Sequence, residues 1–181
     1  MPLGDLPADA VFELAESLFG APLSLELTAF MAEKSGNNPL YIEELARFLR
    51  DERLADGNPV SLRVPPDRVP DGLHGLLVAR LDAVPGNDRQ VLKAASAVGR
   101  SFWASLLARL LEREVDASLA EACTRDLVVE QKNTLLSGDR ELAFRHALLR
   151  DAAYSLLTRK DRQRLHAGTA DLLEARGGGR R

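Results

Sequence analysis

The chain has 181 residues, of which 45% are hydrophobic and 28% are charged, and its formal net charge at pH 7 is −3. This composition is ordinary for a globular protein, and the small charge does not indicate a nucleic-acid or membrane-surface partner. The single cysteine, Cys123, excludes an intramolecular disulfide and fits a reducing compartment. There is no apolar run of ~20 residues and no secretory signal, so we expect a cytoplasmic protein without a membrane partner.

Two amphipathic helices are predicted at the start of the chain. The segment "PADAVFELAESLFG" has an apolar stripe and ends at Gly20, a suitable C-cap. The stripe consists of Val11, Leu14, Leu18 and Phe19. The next segment, "PLSLELTAFMAEKS", has a looser apolar face made of Leu23, Leu25, Leu27, Phe30 and Met31.

A third helix is predicted to begin inside "SGNNPLYIEEL", residues 35–45. Asn38 is a favoured N-cap residue, and Pro39 suits the first helical position, where its missing N–H is not needed. The predicted buried stripe is Ile42, Leu45, Phe48 and Leu49. Glu43 and Glu44 are interpreted as a solvated face that the helix dipole favours. We assign residues 1–55 to a helical bundle.

Residues 56–70 interrupt the helical periodicity. Gly57, Asn58 and four prolines predict a linker between two small domains, with a short extended piece around Val60–Val64.

Residues 71–157 have the order of a winged helix. Helices are predicted in "DGLHGLLVARLDAV", capped by Asp71, in "NDRQVLKAASAVG", in "SFWASLLARLLE", capped by Ser101, and in "VDASLAEACTRD". The segments "LVVEQ" and "ELAFR" then predict a hairpin around Ser137-Gly138-Asp139, before a further helix in "HALLRDAAYSLL". The fold class is therefore mostly α with a small β-hairpin.

One more helix is predicted in residues 158–176, with Leu165, Thr169, Leu172 and Leu173 on one face. Gly168 lowers its helix propensity. Residues 177–181, within "RGGGRR", are predicted to be a disordered tail.

Four segments in this order resemble the region that follows the nucleotide-binding core in STAND-type P-loop ATPases. They are "SGNNPLYIEELARFLRDE", "VPDGLHGLLVARLDAVP", "VLKAASAVGRSF" and "FRHALLRDAAYSLL". The match is similar to the ATPase modules that accompany class III adenylate and guanylate cyclase domains or LuxR-type output domains. It implies a helical lid at 1–55, a winged helix at 71–157 and the first helix of a TPR-like repeat segment at 158–176.

The resemblance implies two nucleotide-contacting groups. The first is the turn Gly36, Asn37, Asn38 and Pro39, which in the family lies beside the adenine; here Asn37 replaces the more usual second glycine. The second is His146, at the start of the helix after the wing, which would reach the β-phosphate of ADP. Arg145 and Arg150 flank it, and Ala147 stands where the better-known form of the motif has an acid.

The chain contains no G-x-x-x-x-G-K-[ST] loop and no metal-ligand spacing among its histidines and cysteine. We therefore expect no enzymatic activity alone, no metal, and ATP or ADP only with a P-loop core supplied in cis or trans. The expected partners are that core and a helical-repeat sensor or a cyclase or LuxR output domain. A protein-interaction module, which would self-associate through the last helix, is one alternative. A DNA-binding winged helix is the other, but its reader segment has a net charge of −2, from three acids and one arginine, so nucleic acid is an unfavoured partner.

Overall fold

A computed structural model of the chain describes residues 8–64, 69–132, 134 and 138–177. Within these ranges the fold is mostly helical, with nine helices and two small antiparallel sheets, as the sequence predicts. The chain divides into two compact units, Met1–Ala83 and Val84–Arg181. Among the described residues, no helix has the length and apolar character needed to cross a membrane.

The first unit is a helical bundle with one hairpin. Its elements are α1 (Ala8–Phe19), α2 (Leu25–Ser35), α3 (Pro39–Asp51), β1 (Ala55–Gly57), β2 (Val60–Leu62) and α4 (Gly72–Asp82). The predicted stripe of α3 is confirmed, because its four residues are all buried. They pack with other fully buried side chains, Leu27, Met31 and Leu76.

The predicted linker at 56–70 differs from the structure. Ala55–Gly57 and Val60–Leu62 form an antiparallel hairpin, and Leu23 makes a parallel bridge to Val60. The turn-forming residues Gly57, Asn58 and Pro59 connect two three-residue strands, which are too short for a clear alternating pattern. Because α4 belongs to the first unit, the division falls after Ala83 rather than within 56–70. Residues 65–68 lie outside the described residues.

The structure defines the end of α1 and the buried face of α2. Gly20 follows α1 with φ +69°, as expected of a C-cap, while the side chain of Val11 is outside the described residues. The predicted apolar face of α2 is wrong at Leu25, which is 81% exposed. Leu25 is the first helical residue after the Ser24 cap, and Leu27 and Met31 supply the buried face instead.

The second unit contains five helices and one three-stranded sheet among its described residues. Its elements are α5 (Gly86–Val98), β3 (Ser101–Trp103), α6 (Ala104–Leu111), α7 (Asp116–Thr124), β4 (Val128–Glu130), β5 (Glu141–Phe144), α8 (Ala147–Ser155) and α9 (Arg159–Gly177). The sheet order is β3-β5-β4, with both pairings antiparallel. The predicted hairpin is confirmed as β4 and β5, although Asn133 and residues 135–137 of its connection are outside the described residues.

The prediction that Ser101 caps a helix is wrong. Ser101 begins β3, which pairs with β5 in the register Ser101 to Ala143, and the helix starts only at Ala104. The aromatic rings of Phe102 in β3 and Phe144 in β5 meet edge to face, with centroids 5.6 Å apart. Both side chains are fully buried, so this contact fixes the third strand to the core.

The last helix, α9, packs closely on α6. A Cβ at Gly168 would lie 2.7 Å from the Leu110 Cδ1 atom, so the glycine permits a close approach. Leu165 and Thr169 of the predicted stripe are buried, Leu172 is half-buried, and Leu173 is 41% exposed. The helix continues to Gly177, one residue into the predicted tail; residues 178–181 are outside the described residues.

Candidate functional site

The turn before α3 keeps an unusual backbone geometry. Gly36 and Asn37 are both left-handed, with φ of +55° and +61°. Asparagine enters this region more easily than most residues, which explains how Asn37 occupies the place of a second glycine. The Asn38 side chain accepts a hydrogen bond from the Tyr41 backbone N–H at 3.2 Å, and Pro39 opens the helix. The predicted cap is confirmed, and the Asn38 side-chain oxygen is the acceptor of this hydrogen bond.

His146 lies at the junction between β5 and α8. It is the N-cap residue of α8, with extended backbone (φ −132°, ψ 146°), and its side chain makes no capping hydrogen bond. Its carbonyl accepts from the Leu149 N–H at 3.1 Å. The side chain is half-buried, with Nε2 in the buried part. His146 therefore lies at the start of the helix that follows β5.

The two arginines beside His146 have different surroundings. Arg145 is exposed, and its guanidinium lies 3.9 Å from the Asp126 carboxylate. The Arg150 Nε donates to the Ser96 carbonyl at 2.9 Å, and its guanidinium lies over the Tyr154 ring, 4.8 Å from the centroid. Arg150 therefore helps to hold α8 on α5, whereas Arg145 extends toward solvent.

The predicted residues fall into two separate groups. Gly36, Asn37, Asn38 and Pro39 belong to the first unit, and Arg145 and His146 belong to the second. Each group is described within its own unit.

A cleft of about 340 Å³ lies close to the turn in the first unit. It is lined by Phe30, Glu33, Lys34, Asp71 and Gly72. The Lys34 ammonium pairs with the Asp71 carboxylate, lies 3.5 Å from the Val69 carbonyl oxygen and is 5.9 Å from the Phe30 ring centroid. Asp71 stands at the N-cap position of α4, but the prediction that it caps the helix is wrong, because its side chain makes no capping hydrogen bond. Its carboxylate turns to Lys34 instead.

Tyr41 adds a buried hydroxyl at the same place. The side chain is 5% exposed, and the hydroxyl makes no hydrogen bond of ordinary geometry, although the Gly72 backbone, Lys34 and Asp71 are its neighbours. Burial raises the pKa of the Tyr41 hydroxyl above its usual value of 10.0, and the nearby Lys34 ammonium opposes this rise. The sequence does not reveal this group, because two neighbours of Tyr41, Asp71 and Gly72, lie at least 30 positions further along the chain.

The prediction that Glu44 lies on a solvated face is wrong. Its side chain is fully buried and pairs with the Arg80 guanidinium, while Arg47 Nη1 lies 3.5 Å from Glu44 Oε1. Arg80 also lies 3.6 Å from the Asp51 carboxylate. Glu43, by contrast, stays partly exposed. We call Glu44, Arg47, Arg80 and Asp51 the ion cluster; it joins α3 to α4, and burial of these charges is tolerated because they are paired.

In the second unit, charged side chains connect the β4–β5 hairpin to the neighbouring helices. Arg140 pairs with Glu130 at 3.1 Å and with Asp116, at the start of α7, at 2.8 Å. The Asp139 carboxylate accepts from the Ser105 backbone N–H at 3.2 Å. The hydrogen bonds from Arg140 lower the pKa of Glu130 below its usual range. The Arg140 contacts tie the hairpin to α7, which in a DNA-binding winged helix would be the reader.

No protein-family model matches the chain. An uncharacterised protein from Rhizobium meliloti (strain 1021) is 30% identical over 135 residues, which is 73% of this chain. The match covers 13% of that relative's length, so this chain corresponds to a small part of a much longer protein.

Proposed function

We propose that the chain is the regulatory lid and winged-helix part of a STAND-type signal-transduction ATPase. It closes over ATP or ADP that is held by a P-loop core from another segment or another protein. The chain itself performs no chemistry in this role. Its function is to turn the state of the bound nucleotide into a rearrangement of the attached domains.

The observation that carries the proposal is the position of His146. It is the N-cap residue of α8, two positions after the last residue of β5. The first turn of a helix presents unpaired N–H groups and the positive end of the helix dipole, which attract phosphate. An imidazole N–H at this place can donate to a phosphate oxygen, and the exposed Arg145 adds positive charge beside it.

The turn in the first unit supports the same role. Gly36 and Asn37 are two consecutive left-handed residues, and Asn38 and Pro39 follow them at the start of α3. In the proposed complex this turn lies against the adenine base. The great length of the Rhizobium relative also supports a region that acts beside other domains.

The test is to measure nucleotide in the native protein. The protein is isolated from its source cells with an antibody against this region, its size is read on a blot, and the nucleotide released on denaturation is quantified. We expect ADP or ATP in an amount close to that of the polypeptide, and a loss of most of it in the His146→Ala variant. Arg159→Ala is the matched control, since Arg159 is exposed on α9.

Two results would contradict the proposal. One is a native preparation that contains no nucleotide and no P-loop polypeptide. The other is a His146→Ala protein that keeps nucleotide as well as the wild type does, since the phosphate contact would then be absent.

A second candidate, an interaction module, is favoured by exposed apolar side chains on the last two helices. Leu148 is 43% exposed and Leu173 is 41% exposed. If these residues meet a partner helix or a second copy, the chain will self-associate in a concentration-dependent way, which light scattering detects. A Leu173→Glu variant with unchanged association would exclude Leu173 from that contact.

The DNA-binding alternative has weaker support. The start of α7 carries Asp116, whose side chain is 67% exposed, and Glu121 lies in its middle. Acidic groups on a reader helix repel the DNA backbone.

A further inference from the structure

The side of α9 that faces away from the core carries a line of exposed residues. They recur at intervals of three or four positions, which places them on one face of the helix. We call this line the outer face of α9; its residues are Arg159, Gln163, Ala167, Ala170 and Glu174. Lys160 and Asp171, which are also exposed, border the outer face. The buried residues Leu165 and Thr169 lie on the other side of the helix.

The charges of the outer face and its border are separated along the helix. Arg159 and Lys160 stand at the start of α9, and Asp171 and Glu174 stand near its end. The dipole of a helix favours acidic groups at the N-terminus and basic groups at the C-terminus. Both ends of α9 therefore expose the sign of charge that their own dipole disfavours.

The neighbouring charges do not compensate for this arrangement. Asp161, the acid in the first turn, accepts a hydrogen bond from the Thr158 hydroxyl at 2.7 Å and lies near Lys93 of α5. The structure pairs none of the four separated charges with an opposite charge among the described residues. Arg176 lies further along the helix, and its side chain is outside the described residues. The described part of the chain thus does not supply the complementary charges.

A second helix that lies antiparallel on the outer face supplies them. Its C-terminal end lies beside Arg159 and Lys160, and its N-terminal end lies beside Asp171 and Glu174, so the two helix dipoles also attract each other. Such a partner helix is basic at its start and acidic near its end. This is the order of charges in α9 itself, so the outer face is complementary to a reversed copy of itself.

We propose that the chain forms a dimer in which the outer faces of two α9 helices pack antiparallel about a twofold axis. When Arg159 lies opposite Glu174 of the second copy, Gln163 lies opposite Ala170 of the second copy, since both pairs have the same midpoint. Lys160 then lies close to Asp171 of the second copy on one flank. The contact lies within the second unit and involves no nucleotide, so it does not depend on the function proposed above.

The size of the outer face predicts a weak dimer. A helix of 19 residues is about 28 Å long. One pair of such helices buries less than the ~1,600 Å² of a stable complex. We therefore expect a dissociation constant of about 100 μM at low salt, and association about tenfold weaker at about 0.5 M salt, because salt screens exposed ion pairs.

The test is sedimentation equilibrium of the 181-residue chain from about 10 μM to about 1 mM, with two double variants. Arg159→Glu with Lys160→Glu makes both ends of the outer face acidic, and Asp171→Lys with Glu174→Lys makes both ends basic. Each double variant alone should associate about tenfold more weakly than the wild type, because like charges then meet at both ends. An equimolar mixture of the two should associate about as strongly as the wild type, because each variant complements the other.

The double variants should keep their fold. Acids at the start of α9 and lysines near its end agree with its dipole, so Trp103 fluorescence should show no loss of resistance to urea. The control is Arg100→Glu with Lys132→Glu, which makes the same charge change as the acidic variant at two exposed positions outside α9. It should change the dissociation constant by about twofold or less.

Three results would overturn the proposal. The first is a wild-type chain that stays monomeric at about 1 mM, since the outer face then meets a helix of a different protein or segment. The second is association that is unchanged in both double variants, which would place the contact elsewhere, for example at Leu148. The third is a mixture that associates no better than either double variant alone, which would exclude antiparallel charge pairing.

Discussion

The two units hold their helices in place by different means. In the first unit, α3 and α4 are joined by the ion cluster, in which Glu44 is fully buried and Arg47 and Arg80 are 4% exposed. In the second unit, the core contact between sheet strands is the apolar pair Phe102 and Phe144, and the ion pairs of Arg140 lie at the surface.

This difference determines how each unit responds to substitution. A buried charge that loses its partner stays desolvated and uncompensated, so the loss is large and specific. An apolar core loses stability with the volume removed, whatever the salt concentration. Exposed ion pairs contribute little and are screened by salt.

The largest effect is expected for Glu44→Gln. It leaves Arg47 and Arg80 buried without their shared carboxylate, and we expect a loss of about 3–5 kcal/mol in the free energy of unfolding of the first unit. Amide hydrogen exchange at the buried residues of α3 measures this loss. Glu43→Gln is the comparison variant, because it removes a partly exposed carboxylate 3.5 Å from the same Arg47, and it should cost less than about 1 kcal/mol.

A triple variant sharpens the comparison. Replacing Glu44, Arg47 and Arg80 together by leucine or methionine removes the three most deeply buried charges and leaves only the partly exposed Asp51 of the ion cluster, so most of the stability should return. Equal losses in Glu44→Gln and Glu43→Gln would mean that the ion cluster does not hold α4.

In the second unit, Leu106→Ala should lower the free energy of unfolding by about 2–4 kcal/mol, because Leu106 is fully buried and the change leaves a cavity. The loss should be the same at low and high salt. The fluorescence of Trp103, the only tryptophan, reports unfolding of this unit in urea. Leu173→Ala, at an exposed position, is the control and should change the free energy of unfolding by about 0.5 kcal/mol or less. A loss in Leu106→Ala that depends on salt would contradict the contrast between an ionic contact in the first unit and an apolar core in the second.

A smaller effect is expected at the start of α3. Asn38→Ala removes the acceptor for the Tyr41 N–H and should cost about 1 kcal/mol, whereas Asn38→Asp keeps the cap and most of the stability. Hydrogen exchange of the first-turn amides of α3 measures both. If Asn38→Ala lowered the free energy of unfolding as much as Glu44→Gln, the N-cap would stabilise α3 as strongly as the ion cluster does.

The smallest effect concerns pH. Because Arg140 lowers the folded-state pKa of Glu130, the pair stabilises the second unit above the unfolded-state pKa of about 4.3, and this contribution is lost as the pH falls through the folded-state value. Both side chains are about half exposed, so the difference is about 0.5 kcal/mol or less. Between pH 6 and pH 3 the Glu130→Gln variant should lose slightly less stability than the wild type, as monitored by Trp103 fluorescence. A larger loss in the variant would contradict a stabilising contribution from the ionised Glu130.

Features set by neighbouring residues were predictable from the sequence. The cap at Asn38, the start at Pro39 and the stripe of α3 all depend on residues within a few positions, and the structure confirms them. The hairpin of β4 and β5 was found because turn residues separate two segments that favour strands.

Features set by distant residues were not predictable. Ser101 looks like a helix cap until its segment pairs with Ala143, 42 positions later. Glu43 and Glu44 are adjacent acids in the sequence, which does not reveal that Glu44 pairs with Arg80, 36 positions away. The pairing of Lys34 with Asp71, and with it the cleft, depends on the same kind of long-range contact.

The ion cluster also limits how the sequence can drift over generations. A change at Glu44 alone leaves two buried guanidinium groups without their buried carboxylate, and a change at Arg80 alone leaves a buried carboxylate with less compensation. Each first step is therefore harmful, while the combined replacement is tolerated. Across descendants of a common ancestor, these positions should consequently change together or remain as they are, and the joint replacements should be apolar.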